Sequence, residues 1–296
     1  MKEALFRGLC TAVITPFDEE GPDLGRMKEQ LDRQLAGGAA AVVLAGTTGE
    51  NATLTAGEYE RMVAACTAHI AGRIRVIVGI GGNSTLACVE RARFAADAGA
   101  DAVLMCPPYY NKTSPAGLLE HFRYVADRSP APLVLYNVPS RTAIGIPAEA
   151  YLELSRHPNV NGVKEASGDF SLASRIVSEC GDALRLYCGN DDQTLPMMAL
   201  GADGVVSVAS NVAPAELARL TADCLAGNYA AARERHRRLS PLFRLLFAET
   251  NPIPVKSAMA MLGLDSGLLR LPLREMDPTK REALREALQD LGLPEA

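Results

Sequence analysis

Lys164 ends the apolar run Val160–Lys164, and Glu165-Ala166-Ser167-Gly168-Asp169 then breaks into a loop. A lysine standing alone is ordinarily a solvated surface charge. At the C-terminal end of a strand in a parallel barrel it instead faces a common mouth, where a partly desolvated amine attacks a carbonyl carbon and forms a Schiff base. Other strand-ending segments carry polar groups suited to the same mouth. Gly46-Thr47-Thr48-Gly49-Glu50 offers hydroxyls and glycine-exposed N–H groups for a carboxylate, unless it is a plain glycine turn. Pro107–Lys112 holds Tyr109 and Tyr110, which can equally be packing residues. Tyr136 supplies a phenol for proton relay, and Arg141, five residues on, a guanidinium that grips carboxylates in two-toothed fashion. Cys188-Gly189-Asn190-Asp191-Asp192 and the pair Val206, Ser207 complete the set, with Asp191 and Asp192 placed to cap the following helix.

Competing chemistries lack their residues. His69, His121, His157 and His236 fall in helices or loops without the spacing of a metal site, so no metal is expected. The 7 cysteines are odd in number, dispersed and never in a CxxC pair, which reads as reduced core thiols. No GxxxxGK[ST] loop is present, and Gly79-Ile80-Gly81-Gly82-Asn83-Ser84 lacks the third glycine of a dinucleotide fingerprint. What remains is lysine-centred carbonyl chemistry without a cofactor. With 296 residues, 48% hydrophobic content and a net charge of −5, the chain suits a globular protein with no electrostatic footprint for nucleic acid. The basic run Arg233–Arg238, interrupted by Glu234, reads as a solvated helix face. No stretch reaches the roughly 18 uninterrupted apolar residues of a membrane span, and a cytoplasmic location is expected.

The elements that position these residues alternate regularly. Strand-like runs occur at Leu9–Ile14, Ala41–Ala45, Arg75–Ile80, Ala102–Cys106, Leu133–Val138, Val160–Lys164, Leu184–Cys188 and Val205–Ala209. Amphipathic segments such as Met27–Ala36, Ala56–Ile70, Thr85–Ala98, Pro115–Ala126 and Ser171–Ser178 lie between them. Nearly continuous apolar strands belong in a parallel sheet covered on both faces. A weak repeat, Gly38-Ala39-Ala40-Ala41, Gly99-Ala100-Asp101-Ala102 and Gly201-Ala202-Asp203-Gly204, sets a helix-ending glycine before a strand. The expected fold is α/β, a TIM (β/α)8 barrel over residues 1–227, followed by a C-terminal helical extension over 228–296 with helices at Tyr229–Phe247, Val255–Leu262 and Pro278–Leu291. A doubly wound open sheet is the alternative architecture.

These motifs resemble the pyruvate-dependent class I aldolase family that includes N-acetylneuraminate lyase and dihydrodipicolinate synthase. The resemblance runs from Thr11-Ala12-Val13-Ile14-Thr15-Pro16-Phe17 to Asn251-Pro252-Ile253-Pro254-Val255-Lys256. Gly46–Glu50, Tyr136 and Gly162-Val163-Lys164 mark the family, while Asn137–Thr142 and Asn211-Val212-Ala213-Pro214 look like its dihydrodipicolinate synthase branch. The resemblance implies an imine of pyruvate on Lys164, with no other cofactor. It implies a relay of Thr48, Tyr136 and a Tyr110 crossing from a neighbouring subunit. Thr47 and Thr48 would hold the pyruvate carboxylate with backbone groups and Arg141 that of the aldehyde, while Gly189 and Val206 line the pocket. The implied reaction joins pyruvate to L-aspartate-4-semialdehyde, giving 4-hydroxy-tetrahydrodipicolinate for diaminopimelate and lysine biosynthesis, in a homotetramer built as a dimer of dimers. Cleavage of a sialic acid or a 2-keto-3-deoxy sugar acid is the alternative within the family, and a non-catalytic keto-acid-binding barrel the alternative outside it. Lysine-inhibited members of the branch bind L-lysine in a crevice at the dimer interface. Asn51, Ala52, Asn83 and Tyr109 match that crevice, but Ala56 and Tyr59 stand where inhibited members carry histidines and Ala87 where they carry a glutamate, with Glu90 one turn on as a partial substitute.

Overall fold

Each strand of the chain pairs in parallel with the next, and the last pairs with the first. The order β1-β2-β3-β4-β5-β6-β7-β8 thereby closes into a barrel. The strands are β1 (Gly8–Ala12), β2 (Ala41–Leu44), β3 (Arg75–Gly79), β4 (Ala102–Met105), β5 (Leu133–Asn137), β6 (Val160–Glu165), β7 (Arg185–Cys188) and β8 (Gly204–Ser207) in this computed structural model, which describes residues 1–293. Between them run α1 (Leu24–Ala36), α2 (Ala56–Ile70), α3 (Thr85–Asp97), α4 (Pro115–Ala126), the single turn α5 (Pro139–Thr142), α6 (Ala148–Ser155), α7 (Phe170–Arg175) and α8 (Thr194–Leu200). Closure disposes of the open-sheet alternative. The eight expected strands are all present, most of them a residue or more shorter at the C-terminal end, because those residues turn into the site-forming loops.

Local chemistry explains the element boundaries. Asp23, Ser84, Ser114 and Asp169 each accept a backbone N–H at a helix start, and Thr55 with Glu58 forms a reciprocal capping box on α2. The three repeated glycines adopt positive φ, 84° at Gly38, 90° at Gly99 and 124° at Gly201, a conformation costly for any other residue. The helix expected at Ser171–Ser178 breaks instead at Arg175 into a wider turn over Ile176–Cys180. The glycines after β3 answer to packing rather than phosphate. A Cβ on Gly79 would lie 2.1 Å from the Ala45 carbonyl oxygen, and one on Gly81 would lie 2.9 Å from Cys106 N.

Alternation along the strands divides the interior in two. Val42, Leu44, Val76, Val78, Val103, Met105, Leu133 and Leu135 face the helices, while Ala41, Val43, Ile77, Ala102, Leu104 and Val134 fill the barrel. Each of the valines, leucines, isoleucines and methionines among them contributes roughly 1.5–3 kcal/mol by leaving water. Stacked Phe6 and Tyr187, with ring centroids 4.4 Å apart, help fill the interior, and the Tyr187 hydroxyl accepts from Leu5 N.

After β8 come α9 (Pro214–Leu225), α10 (Tyr229–Leu245), α11 (Ile253–Met261) and α12 (Pro278–Asp290). α10 packs on α8, α9 and α12, and α11 packs on the turn that follows β8. Among the described residues no helix is long and apolar enough to cross a membrane.

Candidate active site

Lys164 reaches the barrel interior because β6 carries one extra residue. Leu133 of β5 is opposite Val160, but Val134 is opposite Gly162, so Asn161 has no partner on β5. Val160 packs outward among the helix-facing residues, and counting by twos from it would send Lys164 outward too. The bulge reverses the parity: Val163 faces the helices and Lys164 the interior. Gly162 is required at that height, since a Cβ there would lie 2.6 Å from the Arg185 carbonyl oxygen and 3.1 Å from the Tyr187 ring. Lys164 is only 6% exposed, and its Nζ stands 4.3 Å from the ring centroid of Tyr136, its register partner on β5.

The next residues on each strand hold that pair in place. Glu165 is buried and points away from the mouth, accepting from Asn137 Nδ2 at 2.9 Å, the Tyr151 hydroxyl at 3.0 Å and Ser167 N at 2.7 Å. Asn137 Oδ1 in turn accepts from Ile146 N at 3.0 Å. The ends of β5 and β6 are therefore clamped together immediately behind the two interior side chains. Tyr151 is pushed well above the usual phenol range by burial and by the neighbouring Glu165 carboxylate, so it is a permanent donor.

The loop after β2 folds into a tight turn, with Gly49 N and Glu50 N donating to the carbonyls of Gly46 and Thr47 and Glu50 at φ 52°. This delivers Thr47 and Thr48 to a cavity of about 380 Å³ that also touches Tyr136, Arg141 and Lys164. Glu50, the next residue of the cavity wall, has its carboxylate buried beside Lys256 of α11, at 2.8 Å, while Lys256 Nζ also donates to the carbonyls of Thr15 and Leu268. Thr15 Oγ1 donates to the Gly49 carbonyl at 2.7 Å, so the helical extension anchors the threonine loop through the first strand's loop. Arg141, in the single turn α5, donates to the Asn251 carbonyl at 2.9 Å, and Asn251 Nδ2 donates to Thr48 Oγ1 at 3.0 Å.

Five of the residues expected at the site, Thr47, Thr48, Tyr136, Arg141 and Lys164, thus share one cavity, and three do not line it. Tyr110 is 90% exposed and projects from the loop after β4 at φ 67°, away from its own chain's cavity. Val206 belongs to the packed barrel interior. Gly189 lies at the end of β7, where a Cβ would meet that of Ala166 at 2.6 Å. Asp191 does not cap its own helix through its side chain. Its buried carboxylate accepts from the Ser207 hydroxyl, Val208 N and Ala209 N, tying the ends of β7 and β8 together, and burial raises its pKa. The sequence reading left Asn251, Lys256 and Arg91 without roles, yet Asn251 and Arg91 both line the cavity.

His69 and His157 pair with Asp32 and Asp127, and among the described residues no group of three or more His, Cys, Asp or Glu side chains is arranged around a metal position. All seven cysteines are free.

The model of the Dihydrodipicolinate synthetase family matches residues 5–291. The chain belongs to this family. It is 44% identical over 290 residues to the 4-hydroxy-tetrahydrodipicolinate synthase of Thermoanaerobacter sp. (strain X514), an alignment covering 98% of each chain. Among solved structures, dihydrodipicolinate synthase from Aquifex aeolicus superposes with a TM-score of 0.96 at 43% identity, covering 98% of this chain and 99% of that one. The enzyme from Cyanidioschyzon merolae, solved with lysine bound, superposes with a TM-score of 0.95 at 38% identity, covering 98% and 100%. Membership in the dihydrodipicolinate synthetase family agrees with the barrel and with the lysine, tyrosine and threonines gathered in its mouth.

Proposed function

We propose that this protein condenses pyruvate with L-aspartate-4-semialdehyde to give 4-hydroxy-tetrahydrodipicolinate. The observation that carries the reading is Lys164 Nζ against the Tyr136 ring, in a cavity that also holds Thr47, Thr48 and Arg141. The Lys164 amine adds to the keto carbon of pyruvate, and loss of water leaves an imine. The imine draws electrons from the methyl group, a methyl proton departs, and the enamine carbon attacks the aldehyde. Tyr136 and Thr48 move the protons, supplying one to the new alkoxide. The substrate's own amine then attacks the imine carbon, closes the ring and releases Lys164. Backbone groups of Thr47 and Thr48 hold the pyruvate carboxylate, leaving the Thr48 hydroxyl to the relay, and Arg141 holds the carboxylate of the aldehyde. No cofactor is needed, because the imine itself is the electron sink.

Tyr110 fits a third relay position in the site of a second copy, since it projects from its own chain. A dimer is then the smallest complete unit, and the family resemblance favours a dimer of dimers. Gly189 keeps the loop after β7 close to the mouth, and Val206 is assigned to the pocket floor from within the barrel. Residues 1–227 serve as the catalytic barrel. The extension assigned to 228–296, of which 294–296 lie outside the described residues, contributes Thr250, Asn251 and Pro252 to the cavity wall.

Borohydride reduction in the presence of pyruvate tests the imine: a stable mass increment on the peptide containing Lys164 is expected in the native protein and is absent from Lys164→Ala. Rates with aspartate semialdehyde, N-acetylmannosamine and glyceraldehyde test the partner. A higher kcat/KM with either sugar aldehyde overturns the assignment of Arg141.

A further inference from the structure

Asn251 connects two functional groups that enter the mouth from the loops after β2 and β5. Its side-chain Nδ2 donates to Thr48 Oγ1 at 3.0 Å, and its main-chain oxygen accepts from Arg141 Nη2 at 2.9 Å. The residue is 5% exposed and lines the cavity next to both partners. Thr48 is 203 residues away in sequence and Arg141 is 110, so neither bond follows from local chain geometry.

A hydroxyl has one proton and two lone pairs. Asn251 occupies a lone pair of Thr48 with an N–H, and Thr48 Oγ1 has no other hydrogen-bond partner among the described residues. No acceptor among the described residues takes its proton, which is thus free for a group in the cavity that Thr48 lines together with Tyr136. We infer that Asn251 is a positioning residue that sets the donor direction of the Thr48 hydroxyl and couples it to the seating of Arg141. This rests on the aldol reading above, in which Thr48 passes a proton. In that setting a hydroxyl free to rotate would spend part of its time donating away from the reacting atoms, and general acid–base groups lose most of their effect when misaimed. The amide's other end, Oδ1, is buried without a partner, so the contact to Thr48 is the side chain's sole polar tie.

The coupling gives Arg141 a second consequence. The guanidinium's bond to Asn251 stabilises the same backbone segment that presents Nδ2 to Thr48. Binding a carboxylate on Arg141 thus reaches the relay through one residue, with no movement of a whole loop.

The test uses Asn251→Asp and Asn251→Ala in the full-length protein. Asp preserves size and shape but accepts where Asn donates, so it turns the Thr48 proton away from the cavity. Roughly 10²-fold loss of kcat is expected in Asn251→Asp, with a comparable loss in Asn251→Ala, unchanged KM for pyruvate and undiminished borohydride trapping. The ratio of variant to native kcat for Asn251→Asp rises as pH falls, because the introduced carboxyl donates again once protonated. In a Thr48→Val background the Asp substitution costs nothing further. If Asn251→Asp keeps native kcat while Asn251→Ala loses it, the side chain only fills space or accepts from Thr48, and the inference is wrong. Failure of trapping in the native protein would instead overturn the aldol reading, so the two outcomes are separable.

Discussion

Tyr136 and Lys164 are register partners on adjacent strands, and the lysine Nζ stands 4.3 Å from the tyrosine ring centroid. The ring face and the hydroxyl therefore have separate duties. The face packs against the amine, while the hydroxyl is free to handle protons. Tyr136→Phe keeps the first and removes the second. We expect kcat to fall by about 10²–10³-fold with the imine still trapped by borohydride. Loss of trapping in proportion to kcat would place the hydroxyl in imine formation rather than after it.

Glu50 and Lys256 form a pair with side-chain exposures of 1% and 0%. Desolvation lowers the Lys256 pKa, and Glu50 opposes that shift. The Lys256 and Arg270 cations each stand 4.3 Å from the Phe17 ring centroid, so an unpaired ammonium here has little room to reach water. Glu50→Gln should destabilise the protein by about 3–5 kcal/mol in urea titration, since it leaves a buried charge without its counterion. Replacing both, as Glu50→Gln with Lys256→Met, should recover most of that loss. A double variant as unstable as the single one would show that packing, not charge, is at stake.

The outer end of the cavity bears on inhibition by lysine. Of the four residues that match the crevice, Asn51, Ala52 and Tyr109 line the cavity and Asn83 does not; Arg91, which makes no ion pair among the described residues, lines it too. Glu90 is exposed and does not line the cavity, so it does not substitute for the carboxylate missing at Ala87. An incoming lysine ammonium would meet a guanidinium without a counter-charge, and a missing partner alone typically costs ~3–5 kcal/mol. Millimolar L-lysine should leave the rate nearly unchanged, and Ala87→Glu with Arg91→Leu should create sensitivity. Half-inhibition of the native protein well below a millimolar would contradict this.

The barrel was readable because its strands are short apolar runs separated by capped helices, a pattern set by local sequence. Lys164 stood out by its place at a strand end, but its direction was not readable: simple alternation from Val160 points it the wrong way, and the bulge at Asn161 shows only in the pairing with β5. Asn251 and Lys256 lay inside the matched family segment, yet their partners Thr48 and Glu50 are more than 200 residues earlier, with separations of 203 and 206. The available signal was chemical. An acid set among the glycine and threonines of Gly46–Glu50 needs a buried cation, and Lys256 in an otherwise apolar helix is one. Asp191 misled because its neighbours suggest a local cap, whereas its carboxylate serves the adjacent strand.

His121 supplies a pH dependence whose sign follows from its surroundings. Burial holds its imidazole down to about 4, its Nδ1 lies 2.8 Å from Thr85 Oγ1, and its Nε2 is buried without a partner. Above pH 6.5 the ring is neutral whether the chain is folded or not, so the group adds nothing to the pH dependence there. Between 6.5 and about 4 the unfolded chain takes up a proton that the folded one refuses, and stability falls with falling pH. The group's share of that loss is about 3 kcal/mol across the window. His121→Gln removes the titration while keeping a polar contact for Thr85, so the stability gap between native protein and variant should narrow by that amount from pH 7 to pH 4. A gap that stays constant in denaturant titrations over this range would mean that the folded protein protonates His121 as readily as the unfolded chain does.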